Sequence, residues 1–358
     1  MARFAFYAPM KPPTSPTPSG DREMARNLMR AIAAEGDPVD LVSELRIYDK
    51  TGDTAVQQSL QLAAQTEAQR LTDEMPEDTA LWVTYHNYYK APDLIGPVVC
   101  AARRIPYVQM ESTRASSRLN GPWADFAKAA HDACDAANVI FYHTANDLIT
   151  LKRDRYAQQA LVELPPFLPL ADLPPQSLTK GPMLAVGMMR HGDKLASYQL
   201  LADALSLLSG DWRLHIAGDG PARPDVEAQM APFGDKVTFL GQLDRDSLTR
   251  VYQNSGLLVW PGVNEAYGMI YLEAQAAGLP VVAQDRSGVR DVLAPFEYPA
   301  VAQGARGLAR CIQQLLHNSA DRKNLGQLAR KHVADRHLMP AATHTFWSTV
   351  RPLLGGAA

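Results

Sequence analysis

Two glutamates within residues 256–285 have a spacing that suits recognition of a ligand with several hydroxyl groups. Glu265 and Glu273 are separated by seven residues. On one continuous helix, eight positions at about 100° per residue would set the two side chains about 80° apart. Gly262 and Gly268 instead indicate that Glu265 lies in a loop and that Glu273 lies in the helix that follows. Both carboxylates would then face one pocket from different elements.

The start of this helix adds a site for an anion. N–H groups around Gly268, Met269 and Ile270 would point into the same space, because the first turn of a helix has no intrahelical partner for them. Carboxylates accept hydrogen bonds from paired hydroxyls, and glycine lets the backbone approach a ligand closely. The combination predicts a site for a sugar diphosphate. Taken alone, Glu265 is equally consistent with a solvated loop carboxylate, and Glu273 with a helix-surface residue.

The elements that position these residues follow an α/β pattern. Short apolar runs alternate with longer helical patterns, which is typical of parallel sheets covered by helices on both faces. Strands are predicted at residues 3–9, 39–45, 81–86, 105–110, 137–144, 183–187, 212–218, 236–241, 256–262 and 279–284. Helices are predicted at residues 22–36, 123–137, 146–156 and 194–208, among others. Ligands of such sheets bind beyond the carboxyl ends of the strands.

A change in composition divides the chain. Residues 164–182 hold six prolines and no periodic pattern, which predicts an extended connector. We therefore expect an N-terminal domain at residues 1–168, a linker at 169–182, a C-terminal domain at 183–340 and a final segment at 341–358. Both halves look like doubly wound units, and a cleft between them is the expected site.

Composition excludes several classes of protein. The 358 residues are 46% hydrophobic and 20% charged, with a formal net charge of −3, so neither a disordered chain nor a nucleic-acid-binding protein is indicated. Cys100, Cys134 and Cys311 are far apart and outside any CxxC pattern, which argues against a disulfide framework and a cysteine zinc site. The sequence shows no apolar run that would span a membrane and no signal-peptide core. We expect a cytoplasmic protein.

The segment around Glu265 and Glu273 resembles the E-x7-E signature of the retaining glycosyltransferases of the GT-B fold, family 4. The resemblance covers nearly the whole chain and keeps the family's order. The other similar segments are residues 12–31, 186–194, 216–227 and 237–243. It implies two Rossmann-like domains that face each other across a cleft, and a C-terminal helix at residues 341–358 that returns to the first domain.

The resemblance also assigns roles to residues. It implies that Glu273 binds the ribose hydroxyls of a nucleotide and that Glu265 contacts the donor sugar. Gly268, Met269 and Ile270 belong to the same donor site. The other donor contacts are the backbone of Gly20, which would face the phosphate from across the cleft, and Lys194, which would neutralise the diphosphate.

Two positions depart from the family pattern. The family usually has an arginine directly after the glycine equivalent to Gly187, and this chain has Met188. We hypothesise that Arg190, two residues later, replaces that cation, because guanidinium holds phosphate in a planar fork. Relatives often carry a histidine after the strand at residues 105–110, where this chain has Glu111.

The chemistry that the resemblance implies is transfer of a hexose-type sugar from a nucleoside diphosphate sugar to an acceptor hydroxyl, with retention at the anomeric carbon. Neither a metal nor another cofactor is expected. The acceptor would be a glycan, a lipid-linked compound or a small molecule, so peripheral contact with a membrane is compatible. Two alternatives stay open: a sugar-nucleotide epimerase on the same fold, and a non-catalytic homologue that binds a nucleotide sugar or a glycan.

Other residues have two interpretations each. His86 and Tyr85 follow a strand that should face the cleft, so they are candidates for the acceptor site together with Glu111 and Arg114. The alternatives are core packing for Tyr85, a structural role for His86 and a solvated loop for Arg114. Asp244 and Asp246 form a DxD pattern, whose two carboxylates could bind a metal ion. We interpret Asp246 as the cap of the next helix rather than as a metal ligand.

Overall fold

The computed structural model describes residues 2–17, 19–156 and 159–355 and divides the chain into two units. The first unit comprises Met1–Pro165 together with Met339–Ala358, and the second comprises Pro166–Leu338. The chain thus passes from one unit to the other within the proline-rich segment. The predicted end of the N-terminal domain at residue 168 lies three residues after the first division, and the predicted end of the C-terminal domain at residue 340 lies two residues after the second. The predicted linker at residues 169–182 falls inside the second unit.

The first unit contains one sheet. Its strands are β1 (Arg3–Tyr7), β2 (Val39–Ser43), β3 (Thr79–Tyr85), β4 (Tyr107–Met110), β5 (Val139–Tyr142) and β6 (Ala160–Glu163). Its helices are α1 (Gly20–Ala33), α2 (Thr54–Glu74), α3 (Gly96–Arg103), α4 (Ala124–Ala136), α5 (Ala145–Arg153) and α13 (Met339–Leu354). The strands are all parallel in the order β2-β1-β3-β4-β5-β6, so the strand order reverses where β1 lies beside β3.

The core of this sheet follows from its apolar strands. Phe4 and Phe6 in β1 and Trp82 in β3 are fully buried, as expected for a parallel sheet covered on both faces. The helix α13 packs on α1: the indole Nε1 of Trp347 donates to the carbonyl of Ile32 at 3.1 Å. Residues 356–358 of the predicted C-terminal segment lie outside the described residues.

The second unit repeats the architecture. Its strands are β7 (Met183–Val186), β8 (Leu214–Ala217), β9 (Val237–Gly241), β10 (Leu257–Val259) and β11 (Val281–Val282). Its helices are α6 (Asp193–Leu205), α7 (Arg223–Met230), α8 (Arg245–Gln253), α9 (Met269–Ala276), α10 (Val289–Val292), α11 (Gly304–His317) and α12 (Ser319–Arg336). The order is β11-β10-β7-β8-β9, all parallel, so the switch point lies between β7 and β10.

The strand β6 and the helix α2 were not among the elements named from the sequence. One capping prediction was wrong. The residue that caps α8 is Asp244, whose Oδ1 accepts from the backbone N–H of Ser247 at 2.7 Å, whereas Asp246 lies inside the first turn. The helix begins at Arg245, two residues earlier than the predicted cap at Asp246 implies.

None of the helices among the described residues is both long enough and apolar enough to cross a membrane.

Candidate functional site

The predicted donor residues of the second unit follow the two strands at its switch point. Lys194 lies in the first turn of α6, after β7, and Glu265 lies in the loop after β10. Because β7 and β10 are neighbours and parallel, both loops leave the same edge of the sheet. The topology therefore brings together side chains that are distant in the sequence.

Lys194, Glu265 and Trp260 form a compact cluster. The ammonium Nζ of Lys194 forms an ion pair with Oε1 of Glu265. The indole Nε1 of Trp260 donates to the same oxygen at 3.1 Å, and the Lys194 ammonium lies 5.6 Å from the centroid of the Trp260 ring. The Glu265 side chain is only 14% exposed and that of Lys194 is 29% exposed. The two charges are thus oriented in a partly desolvated site.

Trp260 is held in place by the end of β7. A Cβ atom added to Gly187 would lie 2.8 Å from Cη2 of Trp260, so only glycine leaves room for this ring. The Tyr198 ring packs edge-on against it with centroids 5.0 Å apart, and the Tyr198 hydroxyl donates to the Gly187 carbonyl at 2.8 Å. A glycine is therefore required at Gly187 for packing as well as for backbone approach.

The loop that carries Glu265 is tied to α6. The backbone N–H of Val263 donates to Oγ of Ser197 at 3.0 Å, and Nδ2 of Asn264 donates to Oδ1 of Asp193 at 2.8 Å. Asn264 has a φ of +50°, which asparagine tolerates better than most residues. These bonds fix the position of Glu265 before any ligand binds.

The helix α9 begins beside this loop. Gly268 has a φ of +80° at its start, and among the described residues no side chain caps this N-terminus. The N–H groups of Met269 and Ile270 lie in its first turn and are thus suited to an anion. The structure places this predicted anion site on the same loop-helix unit as Glu265.

Glu273 lies in the second turn of α9 and is partly buried. Burial raises the pKa of its carboxyl, while a hydrogen bond from Tyr252 and the charge of Arg245 act in the opposite direction. The Tyr252 hydroxyl donates to Oε2 of Glu273 at 2.8 Å. This bond orients the carboxylate and leaves its other oxygen available to hydroxyl groups.

Arg190 and Met188 occupy exposed positions after β7. The Met188 side chain is 40% exposed, where the family pattern would have a cation. The guanidinium of Arg190 makes no hydrogen bond or ion pair with any residue that the structure describes. The structure therefore does not join Arg190 to the cluster of Lys194, and its replacement role stays a hypothesis.

The first unit has its own set of residues at its switch point. Gly20 is the first residue of α1, whose N-terminus is capped by Ser19. His86 follows β3, and its Nδ1 lies 3.8 Å from Oδ1 of Asp21. His86 also has a φ of +68°, a conformation that is uncommon for histidine and often found at functional sites. The structure thus brings Asp21 of the first turn of α1 to His86.

Tyr85 is the last residue of β3, and Glu111 directly follows the neighbouring strand β4. The Tyr85 side chain is buried, which matches its interpretation as a core residue. Glu111 has a φ of +55°, and its Oε2 lies 3.8 Å from Nε2 of the buried His143. Burial raises the pKa of Asp147, and the charge of Glu111 adds to that shift while a hydrogen bond from Thr144 opposes it. Glu111 is therefore part of a group of titratable side chains inside this unit.

The placement of Arg114 on a solvated loop was wrong. Its side chain is only 2% exposed, and Nη2 lies 2.6 Å from Oδ1 of Asp135. The backbone carbonyl of Arg114 also accepts from Arg153 at 3.0 Å. The Arg114 side chain is thus buried and its charge is neutralised within the unit, so an acceptor could not contact it.

Sequence reasoning missed Trp260, Tyr252, Ser197 and Asn264, which hold the two glutamates and the loop. Only Trp260 had a recognisable signal, since it stands where β10 meets the glycine-containing loop.

Within residues 2–17, 19–156 and 159–355, no group of three or more His, Cys, Asp or Glu side chains is placed to bind a metal ion. All three cysteines are buried and unpaired.

The fold is that of GT-B glycosyltransferases. Sucrose-phosphate synthase from Thermosynechococcus elongatus superposes with a TM-score of 0.72 and 19% identity, covering 100% of both chains. HepE from Anabaena, solved in complex with UDP, superposes with a TM-score of 0.72 and 14% identity, covering 98% of this chain and 100% of its own.

Sequence comparison relates part of the chain to a known family. Residues 179–332 match the family described as glycosyl transferases group 1. Sulfoquinovosyl transferase SQD2 from Arabidopsis thaliana is 30% identical over 145 residues, which is 38% of this chain and 27% of that protein. Alpha-D-kanosaminyltransferase from Streptomyces kanamyceticus is 28% identical over 171 residues, 45% of this chain and 42% of that protein. The matches thus span less than half of these relatives. Residues 179–332 are therefore similar to the glycosyl transferases of group 1.

Proposed function

We propose that this chain is a retaining glycosyltransferase that moves a hexose-type sugar from a nucleoside diphosphate sugar to an acceptor hydroxyl. The observation that carries the proposal is the ion pair of Lys194 with Glu265, beside the open N-terminus of α9 and on the same loop-helix unit as Glu273. A cation, helix N–H groups and two carboxylates match the diphosphate, sugar and ribose of such a donor. We infer a UDP-linked sugar, because the structurally similar HepE was solved with UDP.

In this proposal, the diphosphate competes for Lys194. Its two phosphates carry more negative charge than a single carboxylate, so the ammonium turns from Glu265 to the ligand. Glu265 is then free to accept hydrogen bonds from sugar hydroxyls. Glu273, already oriented by Tyr252, accepts from the ribose hydroxyls through its other oxygen.

The transfer step breaks the bond between the anomeric carbon and the β-phosphate oxygen and forms a bond to the acceptor oxygen on the same face. The acceptor proton passes to the departing phosphate oxygen, so no protein general base is required. Lys194 and the N–H groups of Met269 and Ile270 stabilise the negative charge that develops on the diphosphate. We propose that this step proceeds without a metal ion, and that the protein acts in the cytoplasm, in keeping with its unpaired cysteines.

A panel of UDP-, GDP- and ADP-sugars tests the proposal, with nucleotide release measured in the presence and absence of simple acceptors and with EDTA added. We expect turnover of at least one donor, no effect of EDTA, and a loss of about 100-fold or more in Glu265→Ala. The matched control is Glu297→Ala, which removes an exposed glutamate of the same unit. The anomeric configuration of the product is read by NMR.

The other outcomes of this panel are informative. Donor binding without release of nucleotide would contradict transfer and favour a non-catalytic binding protein. Conversion of the donor into an epimer without release would favour an epimerase. A product with inverted configuration would contradict the retaining mechanism, and loss of turnover in EDTA would contradict metal independence.

A further inference from the structure

We propose that Lys90 and Arg118, held on the rings of Tyr89 and Trp123, bind the phosphate group of a phosphorylated sugar or polyol that serves as the acceptor. This inference rests on the proposed function, because an acceptor exists only for a transferase. It adds the chemical class of that acceptor. All four residues lie in the first unit, in loops that follow β3 and β4.

Two cations share one pair of aromatic rings. The ammonium of Lys90 lies 5.6 Å from the Tyr89 centroid and 5.4 Å from the Trp123 centroid. The guanidinium carbon of Arg118 lies 5.2 Å and 5.5 Å from the same two centroids. The rings meet edge to face at 89° with centroids 5.7 Å apart. Both positive charges are thus held beside one corner formed by two rings.

Neither cation is neutralised by a carboxylate. In the described part of the chain, Lys90 and Arg118 form no ion pair and no side-chain hydrogen bond. The Asp49 carboxylate, whose residue bonds through its backbone to Lys90 and Trp123, is buried. It accepts from the backbone N–H groups of its own turn and from Nε2 of Gln57 at 2.7 Å. Two like charges on one pair of rings repel each other, so a bound anion would stabilise both.

The loops that carry these residues are held together. The backbone N–H of Asp49 donates to the Lys90 carbonyl at 3.0 Å, and the Trp123 indole donates to the Asp49 carbonyl at 3.5 Å. Nε2 of Gln57 donates to the Pro122 carbonyl at 2.9 Å. The loops after β2, β3 and β4 are therefore joined, and the two rings are positioned before a ligand arrives.

The rings continue toward the switch point of this unit. Tyr88 contacts Tyr89 with centroids 5.6 Å apart and contacts His86 at 4.9 Å. All of these rings are partly exposed. Aromatic faces pack against the apolar face of a sugar or polyol ring. A phosphate held by Lys90 and Arg118 would therefore leave the rest of the molecule on the rings that lead to His86.

Titration calorimetry of the full chain without any donor tests this inference. The probes are three pairs: glucose 6-phosphate and glucose, inositol 1-phosphate and inositol, and glycerol 3-phosphate and glycerol. We expect at least one phosphorylated member to bind about tenfold or more tightly than its neutral partner, and this difference to shrink as salt is raised. We expect the double variant Lys90→Gln, Arg118→Gln to lose the difference.

The control is Lys236→Gln, which removes a lysine placed 4.9 Å from the centroid of the Trp212 ring in the second unit. Equal binding within all three pairs, or a double variant that binds like the parent chain, would overturn the inference. So would binding only to phosphatidylglycerol vesicles, because the site would then recognise a membrane surface. Donor hydrolysis by the parent chain is measured in parallel. Its absence contradicts the proposed function, whereas its presence with equal binding overturns this inference alone.

Discussion

Lys194 and Glu265 lie 71 positions apart in the chain, and their side chains form an ion pair beside the indole of Trp260. The pair joins the first turn of α6 to the loop after β10 at the switch point of the second sheet. Each residue therefore holds the other in the place where a diphosphate and a sugar are proposed to bind.

Substitutions of Lys194 should show whether turnover of the donor depends on the positive charge of this side chain or on its size. Lys194→Met keeps the length of the side chain and removes the cation that stabilises the leaving diphosphate. We expect kcat/KM for the donor to fall about 100-fold or more. Lys194→Arg should retain part of the activity, because the charge remains but the guanidinium is larger.

Steady-state kinetics of nucleotide release make this measurement. Lys180→Met, which changes an exposed lysine of the same unit, is the control and should leave the kinetics unchanged. Equal activity of Lys194→Met and the parent chain would show that Lys194 has only a structural role.

Tyr252 is expected to act through Glu273. Tyr252→Phe removes the hydroxyl that donates to Oε2 of Glu273 and leaves the ring. Loss of one hydrogen bond to a charged group costs about 1.5–3 kcal/mol, so the Kd for the nucleotide should rise roughly 10- to 100-fold. Because the bond orients ribose binding rather than the reacting atoms, kcat should change much less than KM.

Calorimetry with UDP and steady-state kinetics with the best donor check this prediction. Tyr298→Phe is the matched control, since its hydroxyl donates to the Ala294 carbonyl of the same unit and not to Glu273. A large fall in kcat at unchanged KM would contradict the positioning role of Tyr252.

Gly288 should be intolerant of a side chain. Its φ is +82°, and an added Cβ would lie 1.8 Å from the carbonyl oxygen of Ala266, the residue after Glu265. We expect Gly288→Ala to lower the thermal midpoint and to weaken donor binding, because the loop of Glu265 must move.

Gly210→Ala provides the comparison. Gly210 has a nearly identical φ of +80° but has open space around its Cβ direction. This variant should show only the backbone strain, roughly 1 kcal/mol, with donor binding unchanged. Equal destabilisation of the two variants would show that the contact with Ala266 has no effect.

The buried histidine at the end of α12 predicts a pH dependence of stability. His337 is fully buried. Its Nδ1 lies 2.6 Å from the Pro166 carbonyl, and its Nε2 lies 3.1 Å from Nε2 of His332. Burial, with the nearby His332 and Arg336, lowers the pKa of His337 to about 4, against the hydrogen bond to Pro166. The unfolded chain, with a histidine pKa of about 6.5, binds the proton first.

The contribution of neutral His337 to the free energy of unfolding is therefore present above pH 6.5 and is lost as the pH falls toward 4. Between pH 7 and pH 5 we expect the apparent free energy of unfolding to decrease by about 2 kcal/mol through His337. Urea unfolding of the parent chain and of His337→Asn at both pH values measures it. The variant should show a smaller decrease, and His317→Asn, an exposed control, should match the parent chain. The same pH dependence in all three chains would contradict the assignment.

Much of the fold was predictable because its strands are short apolar runs bounded by glycine and proline. Ten strands named from the sequence all occur, since a parallel sheet buried on both faces needs continuous apolar residues. The strand β6 was missed because Ala160–Glu163 is a short edge strand with partly exposed residues. The helix α2 lacks a clear apolar stripe, so its periodicity is weak.

The candidate site was predictable only in part. The spacing of Glu265 and Glu273 identified the loop and the helix, but no pattern showed that Tyr252, 21 positions before Glu273, would orient it. That contact depends on how α8 packs beside α9. The burial of Arg114 could not be predicted for the same reason, because Arg114 lies in the loop after β4 and its partner Asp135 lies on α4.

The most direct test of the central claim is a crystal structure of the chain with UDP. The account predicts that the diphosphate lies at the N-terminus of α9, that the Lys194 ammonium contacts it instead of Glu265, and that Glu273 accepts from the ribose hydroxyls. A nucleotide bound elsewhere, or one bound there while Lys194 stays paired with Glu265 and Glu273 contacts no hydroxyl, would contradict it.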